Sequence, residues 1–211
     1  MAKICLISDT HRKHRDLTIP ACDLLIHSGD FCSFEQDDHQ TLLDVDQWFQ
    51  EVPAKQVICV GGNHDVLLES GEFRFAHATL LHDSGLEVEG LSLYGSPWCP
   101  NLPGFAYFAD DDGLKEAWRK IPSGIDLLIT HTPPFGILDL PTSQAQHLGC
   151  PLLREELTRI QPKLHLFGHI HASHGTHHEG QTHFVNASVV GGPHLELRHP
   201  PICMEPSTGW S

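Results

Sequence analysis

The chain has 211 residues, 40% hydrophobic and 19% charged, with a formal net charge of −14 at pH 7. This length and composition are typical of a soluble globular protein with a sizeable core. An acidic surface repels polyanions, which argues against non-specific nucleic-acid binding, whereas a small anionic substrate can still bind beside metal ions. No apolar stretch is long enough to span a bilayer and no secretion signal is visible, so we expect a cytoplasmic protein.

The numbers of cysteine and histidine residues are the most informative part of the composition. The seven cysteines are odd in number and form no C-x-x-C pair, which predicts reduced thiols that mostly fill the core. Histidine is unusually frequent, with 18 copies against two methionines. A histidine-rich composition favours metal binding but does not show which histidines are ligands. The spacing of the histidines along the sequence has to identify them.

Apolar runs and breakers predict strands and helices in alternation, with a strand-rich middle. The predicted strands are, in chain order, 3–8, 23–30, 55–65, 91–98, 126–134, 163–171, 182–188 and 194–199. The predicted helices are 36–52, 111–120 and 153–160. This order favours one layered α/β domain over residues 1–199, followed by a loosely held tail at 200–211.

Five of the predicted strands end in side chains that are common metal ligands. They are Asp9 and His11, Asp30, Asn63 with His64 and Asp65, His131, and His169 with His171. In a layered α/β domain such strand ends meet at one edge, so we expect these side chains to converge. Asp9 and His11 stand two residues apart on an extended segment, as do His169 and His171, and each pair can therefore point the same way.

Each motif taken alone has an ordinary explanation. A Gly-Asp pair is common, Asn-His-Asp is often a turn, and His131 before two prolines could simply end a strand. The joint occurrence at five strand ends predicts a metal site. Carboxylate, imidazole and amide oxygen together suit Mn, Fe, Zn or Co better than Ca or a thiolate-bound metal.

The series D-x-H, G-D, G-N-H-D, a later H and G-H-x-H resembles the signature of the calcineurin-like metallophosphoesterase superfamily. Further stretches, among them "GSPW", "LLITHTPP", "LFGHIH" and "VNAS", resemble small metallophosphoesterase-domain proteins related to class III cyclic nucleotide phosphodiesterases. The resemblance covers roughly residues 1–188. It implies a single-domain α/β fold, a layered β-sandwich flanked by helices.

The resemblance also implies a mechanism with two metal ions, manganese first and iron, zinc or cobalt as alternatives. One ion would be held by Asp9, His11, Asp30 and His171, and the other by Asp30, Asn63, His131 and His169. Asp30 would bridge ions about 3.5–4 Å apart, and a hydroxide shared by the ions would attack phosphorus. His64 would be the catalytic histidine, and Asp65 would either orient it or be a plain turn residue.

These features predict a phosphoester hydrolase that acts on phosphodiesters, with cyclic nucleotides as possible substrates. Two alternatives stay open: a phosphomonoesterase or nucleotide pyrophosphatase of the same fold, and a non-catalytic scaffold. The complete ligand set argues against the scaffold. Roles also stay open for Arg12 (substrate contact or solvated loop), Trp98 with the neighbouring aromatic loop (nucleobase stacking or local cluster) and Asn186 (support of the site or a turn).

Overall fold

The computed structural model describes residues 2–33, 38–141 and 146–205, and its elements follow the predicted α/β order. The strands are β1 (Ile4–Ile7), β2 (Cys22–His27), β3 (Ala54–Cys59), β4 (Thr79–Leu80), β5 (Ser84–Val88), β6 (Leu91–Ser96), β7 (Leu127–Thr130), β8 (Leu164–Phe167), β9 (Gly175–Glu179), β10 (Thr182–Asn186), β11 (Val190–Gly191), β12 (Glu196–Leu197) and β13 (Ile202–Met204). The helices are α1 (Asp38–Glu51), α2 (Val66–Glu69), α3 (Asp111–Arg119) and α4 (Pro151–Ile160).

Two sheets with parallel centres form the middle of the molecule. The first has the order β13-β1-β2-β3-β4, in which β1 to β4 are parallel and β13 runs antiparallel to β1. The second has the order β5-β6-β7-β8-β10-β9, parallel from β6 to β10 and antiparallel at both edges. Since parallel strands are covered on both faces, β1, β7 and β8 are buried along their whole length.

The alternation of side chains along each strand divides the core into layers. Ile4 and Leu6 of β1 face the second sheet, where they join Leu127 and Ile129 of β7 in the core between the sheets. The intervening residue Cys5 belongs to the core on the outer face of the first sheet. The result is a sandwich of two sheets with helices outside, which confirms the predicted fold class.

Helices cover the outer faces because each has one apolar side. Helix α1 buries Leu42, Val45, Trp48 and Phe49 against the first sheet. Helices α3 and α4 bury their apolar residues together against the second sheet. Asp110 caps α3 by accepting a hydrogen bond from the Gly113 N–H, at 2.9 Å.

The predicted helices are confirmed within a few residues at their ends. Positions 36 and 37 of the first one lie outside the described residues. The predicted strand 194–199 is only two residues long, and α2, β4, β5, β11 and β13 had no predicted counterpart as separate elements. Among the residues that are described, no helix is long and apolar enough to cross a membrane.

The C-terminal segment differs from the expectation of a loosely held tail. Residues Ile202–Met204 form β13 at the edge of the first sheet, in register with β1. Ile202 and Met204 pack against the core between the sheets, which gives this strand a reason to stay attached. Residues 206–211 lie outside the described part, and the boundary at residue 199 stays a prediction.

Candidate metal centre

Ligand atoms from both sheets converge where the parallel strands end. One oxygen or nitrogen from each of Asp9, His11, Asp30 and His171 lies within 4.8 Å of all the others in this group. The His11 and His171 Nε2 atoms are 3.3 Å apart, and His171 Nε2 is 3.3 Å from Asp9 Oδ1. Asp9 and His11 follow β1 and Asp30 follows β2, whereas His171 follows β8, so neither sheet can form this group alone.

A second group shares Asp30 with the first. Ligand atoms of Asp30, His131 and His169 also lie within 4.8 Å of one another. The Asn63 Oδ1 atom adds a fourth donor, 3.0 Å from His131 Nε2 and 2.8 Å from His169 Nδ1. All seven residues predicted as ligands are therefore brought together, and their roles as metal ligands stay a prediction.

The Asp30 carboxylate lies between the two groups. Its Oδ2 atom is 3.3 Å from His131 Nε2 in one group and 3.6 Å from His11 Nε2 in the other. Its Oδ1 atom accepts a hydrogen bond from the backbone N–H of His64 at 2.9 Å. A carboxylate has lone pairs for two cations at once, whereas an imidazole nitrogen has only one, so position 30 suits a bridge.

Backbone carbonyls fix the tautomers of two of the histidines. The Nδ1–H of His11 donates to the Cys32 carbonyl at 2.7 Å, and that of His131 donates to the Ser28 carbonyl at 2.8 Å. In each ring the Nε2 lone pair then faces the cluster, as a metal ligand requires. These carbonyl partners come from the loop after β2 and were not predicted, because side-chain motifs carry no information on backbone acceptors.

The ligands sit on backbone that side chains rarely adopt. Asp9, His11, Asp30 and His169 have φ values of 54°, 40°, 61° and 66°, in the left-handed region. Each such residue costs of order 1 kcal/mol or more and persists only where the surroundings enforce it. Four of them in one cluster indicate a site that is built at the expense of local stability.

Buried charge sets the electrostatics of the cluster. Burial alone raises the pKa of Asp9, but its hydrogen bond with His171 and the charges of His171 and His131 lower that pKa well below its usual range. Burial raises the pKa of Asp30 as well, but its hydrogen bond with His131 and the charges of His131, His11 and His64 together lower that pKa below its usual range. Both carboxylates are therefore anionic at neutral pH although they are almost wholly buried.

The donor set fits cations. With Nδ1–H of His131 bound to a carbonyl, the lone pair on its Nε2 faces two oxygen acceptors, Asn63 Oδ1 and Asp30 Oδ2. Lone pairs in such contact repel each other unless a positive charge lies between them. Burial lowers the pKa of His131, but the charge of Asp30, the hydrogen bond with Asp30 and the charge of Asp9 together raise it to about 9, so the same atom attracts a proton when no metal is bound.

His64 lies beside the cluster and is not part of either ligand group. Its Nε2 atom is 4.0 Å from Asp30 Oδ2, and its side chain is 11% exposed. Its ring makes edge-on contacts with the rings of His11 and Phe105, at centroid distances of 5.0 and 5.8 Å. Burial lowers its pKa, and the Asp30 charge only partly compensates.

The Asp65 carboxylate binds backbone, which the sequence did not predict. It accepts hydrogen bonds of 2.8 to 3.0 Å from the N–H groups of Gly62, Asp30, Phe31 and Cys32. Burial and the Asp30 charge raise its pKa to about 7. These bonds hold the loop after β2 against the loop after β3, so Asp65 is more than a plain turn residue, and its orienting role toward His64 stays a prediction.

Asn186 and Ser188 support the ligand loops. The Asn186 Nδ2 atom donates to the Ile170 carbonyl at 3.0 Å, between the candidate ligands His169 and His171. The Ser188 hydroxyl donates to Asp9 Oδ2 at 2.6 Å. Asn186 therefore supports the site. Ser188 had no predicted role, although it ends the stretch "VNAS", which carries part of the family resemblance.

The residues whose roles the sequence left open differ in their surroundings. Trp98 Nε1 donates to the Asp83 carboxylate at 3.0 Å, and Tyr107 is fully buried. Phe105 is the member of this aromatic loop that contacts His64. Arg12, next to His11, is exposed. Arg15, in the same basic stretch, forms ion pairs with Asp44 and Glu51 of α1.

Comparisons with known proteins agree with this geometry. The chain is 32% identical over 228 residues to human metallophosphoesterase domain-containing protein 1, covering 94% of this chain and 69% of that protein. It is 33% identical over 205 residues to a UPF0046 protein of Caenorhabditis elegans, covering 88% and 69%. The crystal structure of TT1561 of Thermus thermophilus superposes with a TM-score of 0.58 at 15% identity, over 88% of each chain, which supports the fold alone.

The family model described as calcineurin-like phosphoesterase matches residues 2–173, a range that contains all seven candidate ligands and His64. The predicted resemblance is therefore confirmed. The chain belongs to the calcineurin-like phosphoesterase family.

Proposed function

We propose that this chain is a metal-dependent hydrolase of small phosphodiesters, cyclic nucleotides among them, and that it acts in the cytoplasm. The observation that carries the proposal is the Asp30 carboxylate shared by two groups of ligand atoms, with the His64 ring beside it. Membership of the family supports phosphoester hydrolysis. The preference for diesters rests on the resemblance to class III phosphodiesterases.

The residues present fit two cations. Asp9, His11, Asp30 and His171 would hold one ion, and Asp30, Asn63, His131 and His169 the other. Nitrogen and oxygen donors of this kind suit manganese, our first choice, and iron, zinc or cobalt as alternatives. When bound, two such ions supply an activated water nucleophile and neutralise charge on the phosphate oxygens.

His64 would act on the leaving group. Its ring lies next to the shared carboxylate without belonging to the ligand groups, so its imidazole can face a bound phosphate. Burial lowers its pKa, which makes the protonated ring a stronger acid. We assign it the donation of a proton or hydrogen bond to the departing oxygen.

Phe105 would meet the organic part of the substrate. It is only partly buried and lies against His64, while Trp98 and Tyr107 of the same loop are engaged in the core. A partly exposed aromatic side chain at this position favours substrates with a planar leaving group such as a nucleoside.

The test compares two chromogenic esters. The protein, loaded with Mn²⁺ and in parallel with iron, zinc or cobalt, is assayed on bis(p-nitrophenyl) phosphate and on p-nitrophenyl phosphate, with EDTA-treated protein and His64→Ala as controls. A higher kcat/KM for the diester, lost in both controls, supports the proposal. Preference for the monoester favours the phosphomonoesterase alternative, and no hydrolysis with any of the four metals favours the scaffold.

A further inference from the structure

Two cysteines face each other across the edge of the first sheet. Cys5 of β1 and Cys203 of β13 are directly opposite in the antiparallel register, and their Sγ atoms are 3.0 Å apart. Ile202 and Met204, on either side of Cys203, pack into the core between the sheets, so Cys203 projects to the opposite face together with Cys5. The two thiols therefore meet at a defined position far along the chain from each other.

The pair differs from the other cysteines in access. Cys203 is exposed, whereas the remaining six cysteines are buried. Oxidants in solution can therefore reach one sulfur of the pair directly, and Cys5 lies immediately behind it. Burial and the hydrogen bond with Cys203 raise the pKa of the Cys5 thiol, so Cys203 is the sulfur that reacts first.

The backbone geometry suits a covalent bond. Residues directly opposite in an antiparallel pair have Cβ atoms about 4.5–5.5 Å apart, near the range of roughly 3.5–4.5 Å found in disulfides. The thiols are already in contact, so closure needs only a small side-chain adjustment.

We propose that Cys5 and Cys203 form a reversible disulfide that ties the C-terminal strand β13 to β1 under oxidising conditions. The oxidant is a low-molecular-weight disulfide such as glutathione disulfide. The Cys203 thiolate attacks one of its sulfurs, breaks its S–S bond and releases one thiol. Cys5 then loses its proton, attacks the Cys203 sulfur and displaces the second thiol, so that two protein thiols are oxidised and one small disulfide is reduced.

Cys22 is the competing partner for Cys5. It lies on β2 near enough for its thiol to interact with Cys5. In the register of the parallel pair, however, Cys5 lies opposite Leu25, three residues further along β2. Cys22 is also buried, so it lacks the access that starts the exchange.

The bond would change the stability of the edge. Strand β13 pairs with β1 alone and is three residues long. A link between residues 5 and 203 closes most of the chain into one loop, which restricts the unfolded state strongly. We expect the oxidised protein to melt about 5–10 °C above the reduced protein.

The test uses the full chain incubated with glutathione disulfide and digested without reduction. Mass spectrometry should find one peptide pair linked through Cys5 and Cys203, with two free thiols fewer per chain, and dithiothreitol should reverse both the link and the rise in Tm. Cys203→Ser should prevent the link and the rise in Tm. The matched variant Cys22→Ser should keep both.

Three results would overturn the proposal. They are a link between Cys5 and Cys22, a stable glutathione adduct on Cys203 without a link, and no oxidation at either position. None of these results bears on phosphoester hydrolysis, because neither cysteine belongs to the candidate metal centre.

Discussion

Asp30 is the residue on which both halves of the metal centre depend, since its carboxylate belongs to both ligand groups. Asp30→Asn keeps the shape of the side chain and tolerates the left-handed backbone, but it removes the charge. We expect the metal content, measured by elemental analysis after dialysis, to fall from two ions per chain to fewer than one.

Asp9→Asn is the matched control, because Asp9 belongs to only one group. It should lose about one ion and retain the other. Equal metal content in Asp30→Asn and the unmodified protein would rule out the bridging role.

His64 should affect turnover without affecting metal content, because it lies outside both ligand groups. We expect His64→Ala to bind two ions and to lose kcat on the order of 10²–10⁴-fold, as for removal of a general acid. Elemental analysis and initial rates on bis(p-nitrophenyl) phosphate measure the two effects separately. Loss of metal in this variant would mean that His64 is a ligand.

His165 should make the fold sensitive to acid. Burial lowers its pKa to about 3, against roughly 6.5 in an unfolded chain. Between these two pKa values the unfolded chain binds a proton on His165 that the folded chain does not bind. The stability that comes with a neutral His165 is therefore complete above about pH 6.5 and is lost as the pH falls toward 3. The free energy of unfolding should fall when the pH is lowered from 7 to 5. We expect this fall to be about 2 kcal/mol smaller in His165→Gln than in the unmodified protein.

Urea denaturation at the two pH values gives this difference. His178→Gln, a change at an exposed position on β9, should retain the pH dependence of the unmodified protein. An unchanged pH dependence in His165→Gln would show that this residue is not buried in its neutral form.

At the scale of single residues, the sequence allowed the clustering of the candidate ligands to be predicted, because metal binding needs particular side chains and these stand at recognisable strand ends. The groups that position them were largely missed. Ser188 binds Asp9, and the Cys32 carbonyl binds His11, but a serine and a backbone carbonyl have no distinctive pattern. Asp65 was singled out, yet its four backbone partners depend on how two loops meet in space.

At the scale of structural elements, the turn that joins β8 to His169 and His171 leaves almost no room for a side chain at Gly168. A Cβ atom on Gly168 would lie 2.1 Å from Asp9 Oδ2 and from Ser8 Oγ. Gly168→Ala must therefore displace the Asp9 carboxylate or the turn that carries His169. We expect kcat/KM to fall by about 10²-fold or more, since a misplacement of about 1 Å has effects of this size.

Gly85→Ala is the control for this substitution. Its added methyl group would meet its nearest neighbour, the Leu93 carbonyl oxygen, at 3.4 Å, on the edge strand β5 and in contact with none of the candidate ligands. Activity should stay near that of the unmodified protein. Full activity in Gly168→Ala would show that the Asp9 position is not critical.

The elements that could be predicted are those with a strong local pattern. Helix α1 has an apolar face of several turns, and β1, β7 and β8 are continuous apolar runs. The segment of β13 was expected to be part of a loosely held tail, whereas three of its residues pair with β1. Its place depends on the long-range match with β1, which no local pattern contains.

For the whole molecule, the centre lies at the junction of the two sheets. Ser8 and Ser188 form an isolated parallel bridge between them, and Ser188 also binds Asp9. Ligands from both sheets are therefore correctly placed only when the sandwich is assembled. The net charge of −14 leaves the cluster in an acidic molecule, so the proposed anionic substrate would be attracted by the proposed cations and not by the surface charge of the protein.

The most direct test of this account is anomalous diffraction from crystals of the protein soaked in Mn²⁺. We expect two peaks, one among Asp9, His11, Asp30 and His171, and one among Asp30, Asn63, His131 and His169, with the Asp30 carboxylate in contact with both. A single peak, or strong peaks only at other histidines such as those of β9, would contradict the account.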